Sequence, residues 1–144
     1  MANKYTKLKI DYPDWLPRSE REAFLEDCIT HILERTAEGI GAYKKGRGYQ
    51  IRPFPSYTDE YAEEKGSDHV NLELDGDMLQ AVSILDLKNG IIGIQGDQEG
   101  KAEGNIRGTY GKRKPISGKA RPFLGLSRSE LNTIEAGFLR ELDE

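Results

Sequence analysis

Reactive and metal-binding side chains are scarce in this sequence: one cysteine, Cys28, and two histidines, His31 and His69, in 144 residues. A single thiol excludes a disulfide framework within the chain and fits synthesis in a reducing compartment. With Cys28 alone beside the histidines, a zinc set of ordinary spacing cannot be built. Apolar residues make up 36% of the chain, and no apolar run approaches the ~18 residues a membrane helix needs. The start, Met1 to Lys7, lacks the apolar stretch of a secretory signal. No membrane is therefore expected among the partners. The formal net charge of -4 gives no global case for nucleic-acid binding.

Catalytic motifs are missing in the same way. Gly108-Thr109-Tyr110-Gly111-Lys112-Arg113 resembles a phosphate loop only superficially, since its glycine spacing is wrong and no Ser or Thr follows Lys112. Asp75-Gly76-Asp77 could open a calcium loop, but Gln80 and Asp86 stand where glycine and glutamate are needed. Cys28 falls on the apolar face of a helix, which suits a buried, inert thiol better than a nucleophile. His31 reads as a surface or rim residue. The carboxylates Asp59, Glu60, Glu63, Glu64 and Asp68 read as a solvated face. No cofactor, no metal and no enzymatic activity are expected.

What is present is a set of amphipathic segments. Residues 1–17 contain Pro13 and Pro17, which forbid a helix, so an extended N-terminal arm precedes a single domain over 18–144. Trp15 either anchors that arm to a neighbour or packs on its own domain. Ser19 and Glu22 suit a capping box. Phe24, Leu25, Cys28, Ile29, Ile32 and Leu33 then keep helical spacing, which predicts a helix over about 20–37, ended by Gly39 and Gly41. Residues 39–57 read as a loop with one short strand near Tyr49 to Ile51. A short helix fits 58–64, and a half-wet strand fits Val70, Leu72 and Leu74.

Asn89-Gly90 predicts a two-residue type I′ turn in a hairpin at 81–95. That register pairs Leu87 with Ile92 and Leu85 with Ile94. A short helix is expected around Ala102. Ser127 and Glu130 form a second capping box, ahead of a closing helix striped by Leu131, Ile134, Phe138, Leu139 and Leu142. The fold class is α+β: N- and C-terminal helices on a small, mostly antiparallel sheet, with long flexible loops.

Between 108 and 121 lies a basic loop with Lys112, Arg113, Lys114, Lys119 and Arg121. Three readings stay open for it: a solvated loop, contact with an acidic surface of a neighbouring subunit, or contact with DNA phosphates, packaged DNA included. The last supports an alternative function, a small nucleic-acid-binding protein using this loop.

Arg121-Pro122-Phe123-Leu124-Gly125-Leu126-Ser127, running into a terminal helix, resembles the end of phage virion-morphogenesis proteins, the tail-completion family with Mu-like members. Tyr57-Thr58-x-x-Tyr61-x-x-x-Lys65-Gly66 and Val70-Asn71-Leu72-x-Leu74-x-Gly76-Asp77-Met78-Leu79 are similar to segments of related neck proteins of tailed phages, and the order of the pieces matches over most of 20–140. Two departures stand out: Asp75 replaces an expected threonine, and a tryptophan-containing segment between first helix and strand is not evident.

The resemblance implies a non-enzymatic virion subunit of the neck, made in the host cytoplasm. It would assemble as a ring of six or twelve copies against neighbouring neck, connector and tail-tube proteins. Within that frame Arg121, Pro122, Phe123 and Leu124 are candidate assembly residues. Pro122 favours a sheet edge. Extended geometry would send one of Phe123 and Leu124 into the core and leave the other for a neighbour, the alternative being that both pack inside the monomer. Arg121 suits a bidentate contact with a carboxylate.

Overall fold

The apolar period of the first segment becomes α1 (Arg21–Ala37), the segment around Ala102 becomes α2 (Glu99–Arg107), and the closing stripe becomes α3 (Arg128–Asp143) in the computed structural model, which describes residues 5–54, 79–107 and 122–143. Five strands are described: β1 (Lys7–Lys9), β2 (Ile40–Lys45), β3 (Gly48–Pro53), β4 (Ser83–Asp86) and β5 (Ile91–Gly93). They form an antiparallel sheet ordered β1-β5-β4 and a separate antiparallel hairpin, β2-β3. The molecule is α+β, as its patterning predicts. The strand expected at Val70 to Leu74, the helix expected at 58–64 and the basic loop lie outside the described residues.

The first capping box does not form. Arg18–Glu20 make a single 3-10 turn, and Glu20 N–H donates to the Pro17 carbonyl at 3.0 Å. Ser19 is thus wound into that turn, and no side chain caps α1. At the other end Gly39 closes the helix with φ 83° and an N–H to Thr36 at 2.9 Å, whereas Gly41 belongs to β2. The stretch 39–57, expected to be mainly loop, holds a full hairpin with six residue pairs from Ile40↔Pro53 to Lys45↔Gly48. Its glycines and prolines hid the alternation that strands usually show.

Residues 5–17 hold the short strand β1 and a turn closed by Leu16 N–H on the Pro13 carbonyl at 3.0 Å, and they do not stand apart as an arm. β1 pairs with β5 through Leu8↔Ile92, and Leu8, Ile10 and Leu16 are buried in the common core. This addition also changes the neighbouring hairpin. The expected pairs Leu87–Ile92 and Leu85–Ile94 give way to Ile84↔Ile92 and Asp86↔Ile91, with an irregularity at Leu85. Two contacts explain the shift. The Asp86 carboxylate accepts from Asn89 N–H at 3.1 Å and from Asn89 Nδ2 at 2.8 Å, closing a four-residue turn. Gly90, at φ 71°, gives its carbonyl to Ile10 N–H at 2.7 Å, and a Cβ there would lie 2.2 Å from the Ile10 oxygen. Leu87 is consequently left 41% exposed at the turn.

α1 and α3 run antiparallel across the core. Their contacts pass from His31 and Arg35 opposite Glu130 to Phe24 against Phe138, an edge-to-face pair at 5.4 Å. Cys28 is fully buried on this inner face. Burial, with Asp27 and Glu135 adding to it, pushes its thiol up to about 12, so it packs as a neutral apolar group.

Candidate interaction surfaces

The Pro-Phe-Leu segment is the sharpest sequence signal, and its geometry can be built residue by residue. Pro122 has no N–H to donate, and its carbonyl accepts from Ala42 N–H at 2.8 Å, so the segment lies against β2 as a strap. Phe123 is fully buried and Leu124 is 8% exposed. Neither is left for a neighbour; the expectation that one would face outward is corrected. A strap that bends at Leu124 does not keep strict alternation. Gly125 permits the close approach, since a Cβ there would meet the Tyr49 ring at 2.6 Å and the Ala42 side chain at 3.0 Å. Leu126 continues the core. Arg121, like Lys112, Arg113, Lys114 and Lys119, lies outside the described residues.

The strap ends in the second capping box, which forms as predicted. Ser127 N–H donates to Glu130 Oε1 at 2.8 Å, and Glu130 N–H donates to Ser127 Oγ at 3.1 Å. Glu130 then does more than cap. Arg35 Nη1 donates to both of its carboxylate oxygens at 2.8 Å, and His31 Nε2 lies 2.7 Å from Oε2. Arg35 Nη2 reaches the Phe123 carbonyl at 2.6 Å. One guanidinium thus ties α1 to both the strap and the start of α3, in a site where the Arg35 and Glu130 side chains are 6% and 11% exposed.

Burial alone would raise the Glu130 carboxyl. The Ser127 N–H, the Arg35 guanidinium and His31 outweigh that and hold it below the ordinary carboxylate range. A depressed carboxyl stabilises the fold above its unfolded pKa and loses that contribution as pH falls through the lower, folded value. Stability against urea should therefore be retained from neutrality to about pH 4.5 and fall below it. Glu130→Gln should be less stable at pH 7 and show a shallower acid-side loss; parallel pH profiles for the two proteins would exclude this role.

Arg35 is a residue that the sequence reading passed over. Its signal was its place on the apolar stripe, one turn beyond Ile32, where a charge needs a buried partner. His31, expected at the rim, is half-buried and engaged.

Outward-facing apolar groups gather instead near the N-terminal end of α1. The large hydrophobics exposed among the described residues are Trp15, Leu87, Leu139 and Leu142. Contacts through Tyr12 and Phe24 bring the Leu87 turn and α3 to this end. The Tyr12 hydroxyl donates to the Leu87 carbonyl, Tyr12 meets Phe24 edge-on at 6.3 Å, and Phe24 meets Phe138, just before Leu139 in α3. Trp15 sits between Tyr12 and Arg18 in sequence. Arg21 stacks over Tyr12 at 4.5 Å, and Arg18, Arg21, Leu87, Lys88 and Asn89 line an open cleft beside it. This end offers an apolar surface with a cationic fringe, the composition of a protein-contact site.

Among the described residues no cluster of three His, Cys, Asp or Glu is placed to hold a metal ion, and no helix is long and apolar enough to cross a membrane. Compared with known protein families, curated proteins and solved structures, the chain finds no match.

Proposed function

We propose that this chain is a structural subunit of the neck of a tailed phage, a tail-completion or head-tail joining protein. It would work by assembling as a ring with further copies of itself, six or twelve, against neighbouring connector and tail-tube proteins. The observation that carries this reading is the Arg121–Ser127 segment, with its resemblance to the tail-completion family. Its described part, from Pro122 on, forms a strap running directly into the terminal helix.

The role of the strap in this reading is internal: it fixes α3 on α1. The surface available for assembly is the end carrying Trp15, Leu87, Leu139 and Leu142. Of the proposed assembly residues that the structure describes, Trp15 is the one assigned that role here. It is 37% exposed, and its indole has both apolar area and an N–H to offer a neighbour. The subunit acts by binding and carries out no catalysis, and its place is the virion after synthesis in the host cytoplasm.

The test is electron microscopy of lysates from phage carrying a null allele. Filled heads accumulating beside free, full-length tails are expected. Normal infectious particles would remove the neck assignment.

A further inference from the structure

The β2-β3 hairpin is the most strongly charged feature among the described residues, and the strap and the neck reading leave its tip unused. From Gly39 to Phe54 the sequence has four cations, Lys44, Lys45, Arg47 and Arg52, and no acidic residue. That is a local excess of positive charge within a chain of net charge -4. All four side chains are exposed, and none makes an ion pair among the described residues.

Register places them around a finger. Strand alternation puts Tyr43, Lys45 and Arg52 on one face and Lys44 with Tyr49 on the other, and Arg47 sits at the turn. Gly46 and Gly48, at the tip, have open space around them. The hairpin is held to the body along one face: Ala42 N–H donates to the Pro122 carbonyl, and Tyr49, next to the tip, packs on Gly125. The cations are thus presented on an anchored two-stranded ribbon.

We propose that this finger contacts the phosphate backbone of duplex DNA. Four cations with no acid among them in sequence, and no ion pair among the described residues, suit a polyanion. A two-stranded ribbon also has the dimensions that the DNA major groove admits. Single strands suit it less well. They need open aromatic faces for stacking, whereas Arg52 covers the Tyr43 ring at 3.8 Å and Lys44 lies over Tyr49 at 5.7 Å. The contact is sequence-independent, because it rests on charge and no side chain here is pre-set for a base edge. It differs from the nucleic-acid reading of the loop at 108–121, and it stands whether or not the chain is a neck subunit.

The experiment is fluorescence anisotropy of the full chain with a labelled 25-base-pair duplex, titrated at several salt concentrations. Each phosphate neutralised contributes about -0.9 to the slope of log K against log salt. Replacing Lys44, Lys45 and Arg47 together by glutamine should weaken binding and reduce the slope by about 2–3. All three side chains are exposed, so the fold should survive, with circular dichroism as the check.

The same replacement at Lys112, Arg113 and Lys114 should leave the finger's share of the slope in place. Three outcomes overturn the proposal: no binding at low salt, a slope unchanged by the finger variant, or equal affinity for poly-glutamate, which would point to an acidic protein surface. A null-allele phage with normal virions would remove the neck reading and leave this one untouched.

Discussion

Phe123→Ala is expected to destabilise the protein by about 3–5 kcal/mol. The side chain is fully buried where the strap crosses between the β2-β3 hairpin and α1, and its own carbonyl is held by Arg35. Truncation removes the largest apolar group of the strap and opens a cavity that the Ala42–Pro122 and Arg35–Phe123 hydrogen bonds keep from collapsing. Small domains are stable by only about 5–15 kcal/mol in total, so the loss is a large share of the whole. Urea denaturation should show the midpoint falling steeply, and Leu124→Ala should behave similarly. A Phe123→Ala protein of normal stability that fails only in particle assembly would contradict the burial and restore the outward role expected from the alternation.

The second large effect is expected at Arg35. Arg35→Ala removes three hydrogen bonds at once, two to the Glu130 carboxylate and one to the Phe123 carbonyl. It leaves a mostly buried carboxylate with only His31, Ser127 N–H and the residual solvent contact of its side chain. Breaking one side of a buried pair costs about 3–5 kcal/mol, mainly through the charge that remains. Replacing both partners together, as in Arg35→Met with Glu130→Gln, should cost clearly less than the sum of the single changes. The difference, read from a double-mutant cycle, measures the coupling. Additive losses would mean that the two side chains do not act as a pair.

These two residues show where sequence reasoning reached and where it stopped. The Ser127–Glu130 capping box was legible because its partners lie three residues apart and their geometry is local. The Ser19–Glu22 box has the same spacing, yet Pro17 winds the chain into a 3-10 turn and the cap is lost. The helix near Ala102 and the burial of Cys28 followed from composition and period alone. The closing stripe was only partly right: Ile134 and Phe138 are buried, while Leu139 and Leu142 remain outside. The amphipathic pattern shows which face is apolar; what covers its far end depends on the neighbouring elements.

By itself, then, the sequence determined the α+β class, the positions of the main helices, the existence of a turn at Asn89-Gly90 and the strap's entry into α3. Each of these depends on residues close together along the chain, where propensity, capping and periodicity act directly. Only the tertiary structure decided that β1 joins the sheet beside β5, that the hairpin register shifts at Leu85, that Phe123 and Leu124 both turn inward, and that Arg35 meets Glu130 from 95 residues away. The physical reason is common to all four. A strand's register and a buried charge's partner are settled by groups distant in sequence, and the free energy of burying Ile10 or pairing Glu130 exists only once those groups have met.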